Sequence, residues 1–546
     1  MARGMGIDVV ATVPGLLPAA LGTGEAATGG FVVAEIEPAR AEALRRNVTP
    51  NIVIEENHRL SYGDKPIDDV ATRGSLRLAA AGMTQSFPVK LRIVGRGGAP
   101  IEGAVVQLAS DGLSEGRTDA NGVATVTLFL APGGRARLLY VDVPLDHWDI
   151  LVHDPAITPG QSYELRAKSV FEAPELLPNF PGDFRFGWGQ RLMELDRMPA
   201  EFDGTGVRIA IIDSGADPTH PLLQHIKQGF DATQPNIVGG NWAQDSIGHG
   251  THCAGVITAR PTSGHAMRGF APGAEVIVFK IFPGGDFTAL ALCIRKCIEL
   301  QVDVVNLSLG AAVSQNVMVD QQLDAAVKSG VAFIVAAGNS GDDVQFPASS
   351  RYSLAVAALG AQGVFPESTY DESTFDPTLP MDRGLFSPNF TCHGPRIAVT
   401  APGVSIVSSV PNGYNPESGT SMAAPHVTGL AALLLAHHPM FRVQFRERNA
   451  ARVNALYQLI HSICAPVALG PDRAGAGIPR LGSLIGTLLP AQQPGTGDRT
   501  ITPELAASLS TIFGAPGVQP GFLVPQAVGG PLFVPQHMAL GAFGQK

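Results

Sequence analysis

Four nearly continuous apolar runs, rich in β-branched residues, recur between residues 205 and 340. They are VRIAIID (207–213), EVIVFKI (275–281), VDVVNLS (302–308) and VAFIVAA (331–337). Between them lie three segments with apolar positions at helical spacing, 249–258, 286–301 and 318–329. Strands that are apolar on both faces are typical of a parallel sheet covered by helices. The pattern predicts an α/β domain with a mostly parallel sheet flanked by helices, over about 187–485.

Residues 86–170 carry a different pattern, in which apolar and polar positions alternate over short stretches such as FPVKLRIVG and GVATVTLFL. Turn dipeptides, Asp111-Gly112 and Asn121-Gly122 among them, separate these stretches at about ten-residue intervals. The spacing predicts a small all-β sandwich that precedes the α/β domain. We interpret it as an accessory or spacer module, and a ligand site within it remains an open alternative.

Outside these two regions the pattern is less regular. Residues 30–57 predict a strand, a helix and a second strand, and residues 63–82 predict a linker. The recurrent Pro and Gly of 486–546 predict a poorly ordered tail with one short helix at 502–512.

The first 29 residues leave the compartment undecided. They combine Arg3, an apolar stretch and small residues, as a signal peptide does, but Asp8, Pro14 and Pro18 interrupt the stretch. We therefore assign no localisation from residues 1–29, and a weak signal remains one alternative.

Composition excludes several classes of protein. The 546 residues are 45% hydrophobic and 16% charged, which favours a globular protein with a sizeable core. The net charge is −10 and no basic block stands out, which argues against nucleic acid as a partner. No apolar run reaches about 18 residues, so no membrane span is predicted. Five scattered cysteines do not form a disulfide framework, and we interpret Cys293 and Cys297 as buried thiols.

Three glycine-flanked turns carry the candidate chemistry. Asp213 ends an apolar strand in IIDSGAD, His249 opens a helix in GHGTHCAG, and Ser421 precedes a long apolar helix in GTSMAAPH. A serine hydroxyl is a poor nucleophile at neutral pH and needs a base, which in turn needs an acid to orient it. Taken singly, Asp213 could be a turn residue and Ser421 a helix cap. Together they supply the parts of a nucleophilic triad.

These three motifs, in this order, resemble the active-site signatures of the subtilisin-like serine protease family. The resemblance extends from about residue 187 to about residue 482. It implies a serine endopeptidase that forms an acyl-enzyme intermediate on polypeptide substrates, and no cofactor is assigned. Ser421 would attack the scissile carbonyl, His249 would act as base and then as acid, and Asp213 would orient His249.

The same resemblance implies an oxyanion hole and a primary specificity pocket. The oxyanion donors would be the backbone N–H of Ser421 and the side-chain amide of Asn339. The pocket walls would be two short segments, which comprise Ser308, Leu309, Gly310, Ala336, Ala337 and Gly338. Because the second segment has only small side chains, we predict a preference for large apolar residues. Extended substrate would pair with these walls as an added strand.

Two residues that follow His249 in the same predicted helix are interpreted as structural. His252 should face away from His249, and Cys253 lies on the same helix face as His249. A buried inert thiol is the favoured interpretation of Cys253, with a reactive thiol as the alternative.

The chain departs from the family pattern in two places. Residues 30–62 weakly resemble part of an inhibitory prodomain, particularly in NIVIEENHRLSY, but a plain interaction module is the alternative. The stretch 364–392 resembles an insertion. Its acidic residues could bind structural Ca²⁺ or form a solvated loop, and no ligand set is assigned. They are Glu367, Asp371, Glu372, Asp376 and Asp382.

Two other functions compete with the endopeptidase. A catalytically silent binding scaffold would have lost part of the site, whereas Asp213, His249, Ser421 and Asn339 are all present. An esterase or lipase would carry Gly-x-Ser-x-Gly and the order Ser, Asp, His, neither of which occurs here. Family resemblance favours a secreted or periplasmic protein, although no clear signal peptide supports it.

Overall fold

The computed structural model describes residues 8–13, 31–47, 53–62, 84–234, 237 and 239–484. The predicted linker and the predicted tail with its short helix lie outside these residues, as does most of 1–29. Within the described ranges, no helix combines the length and the apolar character needed to cross a membrane.

The N-terminal region begins with an antiparallel pair of strands, β1 (Asp8–Val13) and β2 (Phe31–Glu35), followed by helix α1 (Pro38–Asn47). Strand β1 has no counterpart among the sequence predictions. The second strand predicted before residue 57 is wrong for 53–57, because the chain over 53–62 forms only isolated bridges, at Arg59 and Ser61.

Residues 84–170, called the β-module below, fold into two small sheets. Its strands are β3 (Gln85–Val94), β4 (Val105–Ala109), β5 (Leu113–Arg117), β6 (Val123–Leu130), β7 (Leu138–Asp142), β8 (Ile150–His153) and β9 (Ser162–Arg166). Among these residues the strand orders are β6-β3-β9 and β5-β4-β7-β8. The alternating apolar positions of both sheets meet in one core, which includes the fully buried Leu91, Val106 and Leu128.

The α/β domain follows, built on a larger sheet. Its strands are β10 (Arg208–Asp213), β11 (Gln228–Asp231), β12 (Glu275–Lys280), β13 (Val304–Leu307), β14 (Ala332–Ala336), β15 (Ser353–Ala361), β16 (Met381–Asp382), β17 (Leu385–Phe386) and β18 (Ile397–Pro402). The order β11-β12-β10-β13-β14-β15-β18 is parallel throughout, while β17 and β16 add antiparallel pairs beside β15.

Helices cover this sheet. They are α2 (Trp188–Leu192), α3 (His249–Thr258), α4 (Phe287–Glu299), α5 (Val317–Lys328), α6 (Tyr370–Ser373), α7 (Thr420–His437), α8 (Pro439–Arg442), α9 (Ala450–Ser462) and α10 (Pro471–Ala474). A hairpin of β19 (Ile406–Val410) and β20 (Gly413–Glu417) leads into α7, and a short pair, β21 (Cys464–Ala465) with β22 (Ile478–Pro479), closes the described part. Helix α7 is buried from Thr420 to Leu435, which explains why most of its residues are apolar.

The topology brings the candidate residues to one edge of the sheet. Asp213 ends β10, Ser308 follows β13, and Asn339 lies three residues after β14. Because these strands are parallel and adjacent, their carboxyl ends meet at the same edge, where sites in such sheets form.

Candidate active site

Asp213 and His249 form a direct hydrogen bond. The Nδ1 of His249 lies 2.8 Å from Oδ1 of Asp213, which also accepts the backbone N–H of Ser214 at 2.7 Å. Asp213 is fully buried, and His249 is 7% exposed. A carboxylate on Nδ1 holds the proton there, so Nε2 of the neutral ring is the nitrogen that can accept a proton.

The start of α3 is fixed by short polar contacts. Asp245 accepts hydrogen bonds from the backbone N–H of Gly248 and from both N–H and Oγ1 of Thr251. The N–H of Gly250 donates to Ser214 Oγ at 2.8 Å. A Cβ at Gly250 would lie 2.1 Å from the carbonyl oxygen of Gly215, so glycine is required there. These contacts hold His249 against Asp213.

Electrostatics favour the protonated form of His249. Burial lowers the pKa of the imidazole, but the charge and the hydrogen bond of Asp213 outweigh it and raise the pKa to about 9. The site therefore stabilises an imidazolium, which is the form that a base adopts after it takes a proton.

Ser421 lies in the first turn of α7, beside Asn339. Gly419 precedes the helix, and Thr420 donates its N–H and its hydroxyl to Oδ1 of Asn339 at 2.8 and 2.9 Å. These contacts fix the carboxamide through its oxygen. In the described part of the chain its Nδ2 group makes no hydrogen bond, and Asn339 and Ser421 line the same cavity.

The hydroxyl of Ser421 is not bonded to His249. Its Oγ donates to the carbonyl oxygen of Tyr62 at 2.9 Å and lies 3.3 Å from the carbonyl oxygen of Ser308. His249 Nε2 is buried and has no hydrogen-bond partner among the described residues. The ring of Tyr62 lies 5.2 Å from that of His249 and 4.9 Å from that of Phe282, centroid to centroid. The N-terminal region therefore occupies the position that faces both groups.

The cavity beside Ser421 contains most of the predicted pocket residues. Leu309, Gly310, Ala336 and Gly338 line it, whereas Ser308 and Ala337 do not. Ser308 instead donates its hydroxyl to the carbonyl oxygen of Ser421 at 2.8 Å, and Ala337 is packed in the core behind the wall.

The lining contains four residues that the sequence analysis did not assign to the pocket, two of them in the prodomain-like stretch NIVIEENHRLSY. They are Ser61, Tyr62, Gln345 and Thr420. Thr420 belongs to the quoted GTSMAAPH motif, so the motif could have drawn attention to it. Gln345 carries no comparable signal, because a loop after β14 brings it to the wall.

Residues 53–62, called the cleft segment below, join the cleft through backbone hydrogen bonds. The N–H of Leu60 donates to the carbonyl of Gly285 at 2.9 Å. Ser61 and Gly310 exchange two hydrogen bonds, of 2.8 and 2.9 Å, in an antiparallel bridge. The cleft segment thus pairs with both walls through isolated bridges, a short version of the backbone pairing by which extended peptides bind in β-augmentation.

Side chains of the cleft segment contact the amino ends of two helices. The carboxylate of Glu55 accepts the N–H groups of Val317 and Met318 at 2.8 and 2.9 Å, where α5 begins. Asn57 accepts the N–H of Thr288 at 3.1 Å in the first turn of α4. Both contacts satisfy donors that the helices cannot satisfy internally.

The other sequence-predicted residues have structural environments. His252 is buried, with Nε2 2.8 Å from the carbonyl oxygen of Ile406. Cys253 is fully buried, and burial raises the pKa of its thiol well above the usual range. Cys293 and Cys297 are fully buried on α4.

Four of the five acidic side chains of the stretch 364–392 accept hydrogen bonds from other residues of the chain. Asp371 is 4% exposed and accepts the hydroxyl of Ser418. Glu372 accepts the N–H of Ser368, Asp376 accepts from Thr378, and Asp382 accepts the N–H of Ala468. Each of these four carboxylates therefore has a different hydrogen-bond partner. The hydrogen bonds with Ser418 and Ala468 attach the stretch to the rest of the domain.

Known proteins share the part of the chain that carries this site. The sequence model of the subtilase family matches residues 204–461 of this chain. Subtilisin E of Bacillus subtilis (strain 168) is 34% identical over 257 residues, which are 45% of this chain and 60% of that protein. Subtilisin of Bacillus pumilus is 34% identical over 257 residues and is covered to 83%, and subtilisin DY of Bacillus licheniformis is 30% identical over 280 residues and is covered to 92%.

Proposed function

The chain belongs to the subtilase family, and from that membership we propose that it is a serine endopeptidase that uses Asp213, His249 and Ser421 as its triad. The alignment with subtilisin E covers less than two thirds of that protein, so the activity of this chain is a proposal that its own geometry must support. The substrates would be polypeptides.

The observation that supports the proposal best is the 2.8 Å bond between Asp213 and His249, next to a serine that opens a buried helix. In the proposed reaction, Nε2 of His249 takes the proton of Ser421 as Oγ bonds to the scissile carbonyl carbon. The C–N bond then breaks as His249 gives that proton to the leaving amine. Water, deprotonated by the same imidazole, hydrolyses the acyl-enzyme.

The negative oxygen of the tetrahedral intermediate would lie between Asn339 Nδ2 and the backbone N–H of Ser421. The fixed carboxamide of Asn339 supports this assignment, because donors held in place cost no reorganisation during the reaction. The start of α7 adds the positive end of a helix dipole.

We propose a broad apolar primary specificity. The cavity wall combines Leu309 with the small Ala336 and Gly338, and the lining contains no charged side chain among the described residues. A fluorogenic peptide library with each P1 residue should be cleaved best with large apolar side chains. A strict preference for Lys or Arg would contradict the proposal.

A second part of the proposal concerns the cleft segment, which we propose to be an intramolecular inhibitor. Its support is the backbone pairing of Ser61 with Gly310 and the hydrogen bond of Ser421 Oγ to Tyr62. A substrate needs the same edge of Gly310 and the same hydroxyl, so segment and substrate would exclude each other.

Labelling with a fluorophosphonate and cleavage of casein test the peptidase assignment. The wild type should become labelled on Ser421 and cleave casein, whereas Ser421→Ala should do neither. A chain that folds but never reacts would favour the silent scaffold. Deletion of residues 1–62 tests the inhibitor: the remaining chain should react faster than the intact chain, and an unchanged rate would favour a plain interaction module.

A further inference from the structure

The stretch 364–375 is attached to the β-module by backbone pairing. The N–H of Leu151 donates to the carbonyl of Ser368 at 3.2 Å, and the N–H of Tyr370 donates to the carbonyl of Asp149 at 3.1 Å. An antiparallel bridge joins Ile150 to Thr369 between these bonds. The stretch therefore extends the sheet edge at β8, and it connects the β-module to the α/β domain.

Four residues at this junction are linked by hydrogen bonds, and we call them the docking network. The indole N–H of Trp148 donates to Ser405 Oγ at 2.8 Å. The backbone N–H of Ser405 donates to Ser418 Oγ at 2.8 Å, and the Ser418 hydroxyl donates to Asp371 at 2.6 Å. Trp148, Ser405 and Asp371 are each less than 5% exposed, so the surrounding medium strengthens these bonds.

The docking network ends beside the nucleophile. Ser418 is followed by Gly419 and Thr420, and Ser421 comes next. Gly419 donates its N–H to the carbonyl of Gly403 at 2.8 Å, two residues before Ser405. The two chain segments that pair here, 403–405 and 418–419, therefore each carry one residue of the docking network.

Ser405 also stores backbone strain that the docking network can maintain. Its φ is +52°, in the left-handed region that costs a non-glycine residue free energy. Such a conformation persists when its surroundings fix it, and here Trp148 binds the side chain while Ser418 binds the N–H. Loss of either contact would let this segment relax.

We propose that the β-module and the stretch 364–375 position the nucleophile, with Trp148 and Asp371 as the positioning residues that hold Ser405 and Ser418. The inference rests on the proposed endopeptidase function and goes beyond the spacer role predicted for the β-module. Neither residue touches the reacting atoms. Both act through the turn that sets where Ser421 Oγ lies, and small displacements of a reacting group reduce rates strongly.

The test uses full-length variants: Trp148→Phe, which keeps an aromatic ring and loses the indole donor, Asp371→Ala, which loses the acceptor, and Asp371→Asn, which keeps an acceptor oxygen. The matched control is Asp376→Ala, which removes a carboxylate–hydroxyl pair with Thr378 that is exposed and lies just outside 364–375. All proteins are incubated until the wild-type labelling rate is constant, and kcat is expressed per fluorophosphonate-titrated Ser421.

We expect Trp148→Phe and Asp371→Ala to lower kcat and the labelling rate constant about 10-fold or more, with KM changed less than about twofold. Asp371→Asn should recover most of the rate, and Asp376→Ala should match the wild type. A merely structural anchor would lower the melting temperature and leave kcat per titrated serine unchanged, and that result would overturn the inference. A wild type that never labels would overturn the proposed function and this inference together, whereas a reactive wild type with unaltered variants would overturn this inference alone.

Discussion

At the scale of single residues, the Asp213–His249 pair determines how the site depends on pH. Burial alone would keep the imidazole neutral, but the Asp213 carboxylate raises its pKa to about 9. In the proposed mechanism His249 must be neutral to take a proton from Ser421. Activity should therefore appear only as the pH rises towards the pKa of His249.

This gives a first prediction. We expect kcat/KM to increase with pH along an acid limb that lies well above 6.5 and extends towards pH 9. Asp213→Asn should move the limb to lower pH and reduce the rate at its plateau by about 10⁴. The profile can be measured with a neutral peptide substrate, and a limb at or below pH 6.5 in the wild type would contradict this assignment.

Asn339 supplies a second prediction at this scale. Asn339→Ala should lower kcat about 10²–10³-fold with little change in KM, because its amide acts mainly on the transition state. Asn241→Ala is a suitable control, since that residue is exposed in a loop of the same domain. Equal effects of the two substitutions would remove Asn339 from the oxyanion site.

Sequence patterns predicted the position of these residues in the fold better than they predicted the contacts of their side chains. Asp213, His249 and Ser421 each follow or open an apolar element, so the motif and the strand ends predict their place. The contacts of Ser421 with Tyr62 and of Asp371 with Ser418 join residues far apart in the chain. No local periodicity encodes such contacts. The resemblance of 30–62 to a prodomain offered the first as one alternative, and the sequence analysis missed the second.

At the scale of elements, buried strands were predicted well because both faces are apolar. The run 207–213 is strand Arg208–Asp213, and the helix predicted over 249–258 is His249–Thr258. The strand predicted at the end of 30–57 was wrong over 53–57, because the backbone pairing of this segment with the cleft walls is made further along, at 59–61.

The β-module carries an acidic side chain whose protonation should affect stability. Burial is the largest influence that raises the pKa of Asp149 to about 7, and Asp142 adds to it. The Asp149 carboxyl is 2.6 Å from the hydroxyl of Tyr140. Since the folded pKa lies above the unfolded value, the folded state binds more protons, and stability falls as the pH rises from about 4 to about 7.

The third prediction follows from this sign. In a Ser421→Ala background, which prevents self-digestion, Asp149→Asn should flatten the decline in melting temperature between pH 5 and pH 8, a decline worth on the order of a few kcal/mol. Asp154→Asn is the control, because Asp154 lies in the same module in an exposed ion pair with Arg135. The idea fails if both variants keep the wild-type slope.

At the scale of the whole molecule, the proposed inhibition depends on contacts spread over α4, α5 and the cleft. Glu55 is the acidic anchor at the start of α5, and its neighbour Glu56 is exposed. A carboxylate at a helix amino end stabilises the bound segment through two N–H groups and the helix dipole.

We therefore predict that Glu55→Ala weakens the inhibitor and Glu56→Ala does not. The unprocessed Glu55→Ala chain should react with a fluorophosphonate about 5- to 10-fold faster than the wild type, the equivalent of about 1 kcal/mol of lost binding. Initial labelling rates of freshly purified full-length proteins provide the measurement. Identical rates for both variants would show that this anchor does not hold the segment in place.

The cleft segment and the cleft that it fills belong to one polypeptide, joined through residues 63–83. A tethered ligand competes at an effective concentration that its tether sets, on the order of millimolar for a short flexible one, whatever the dilution of the protein. If the chain were cut between the cleft segment and the β-module, the bulk concentration of the released N-terminal fragment would replace this effective concentration. Onset of activity should then become concentration-dependent, fast in dilute solution and slow where the protein accumulates.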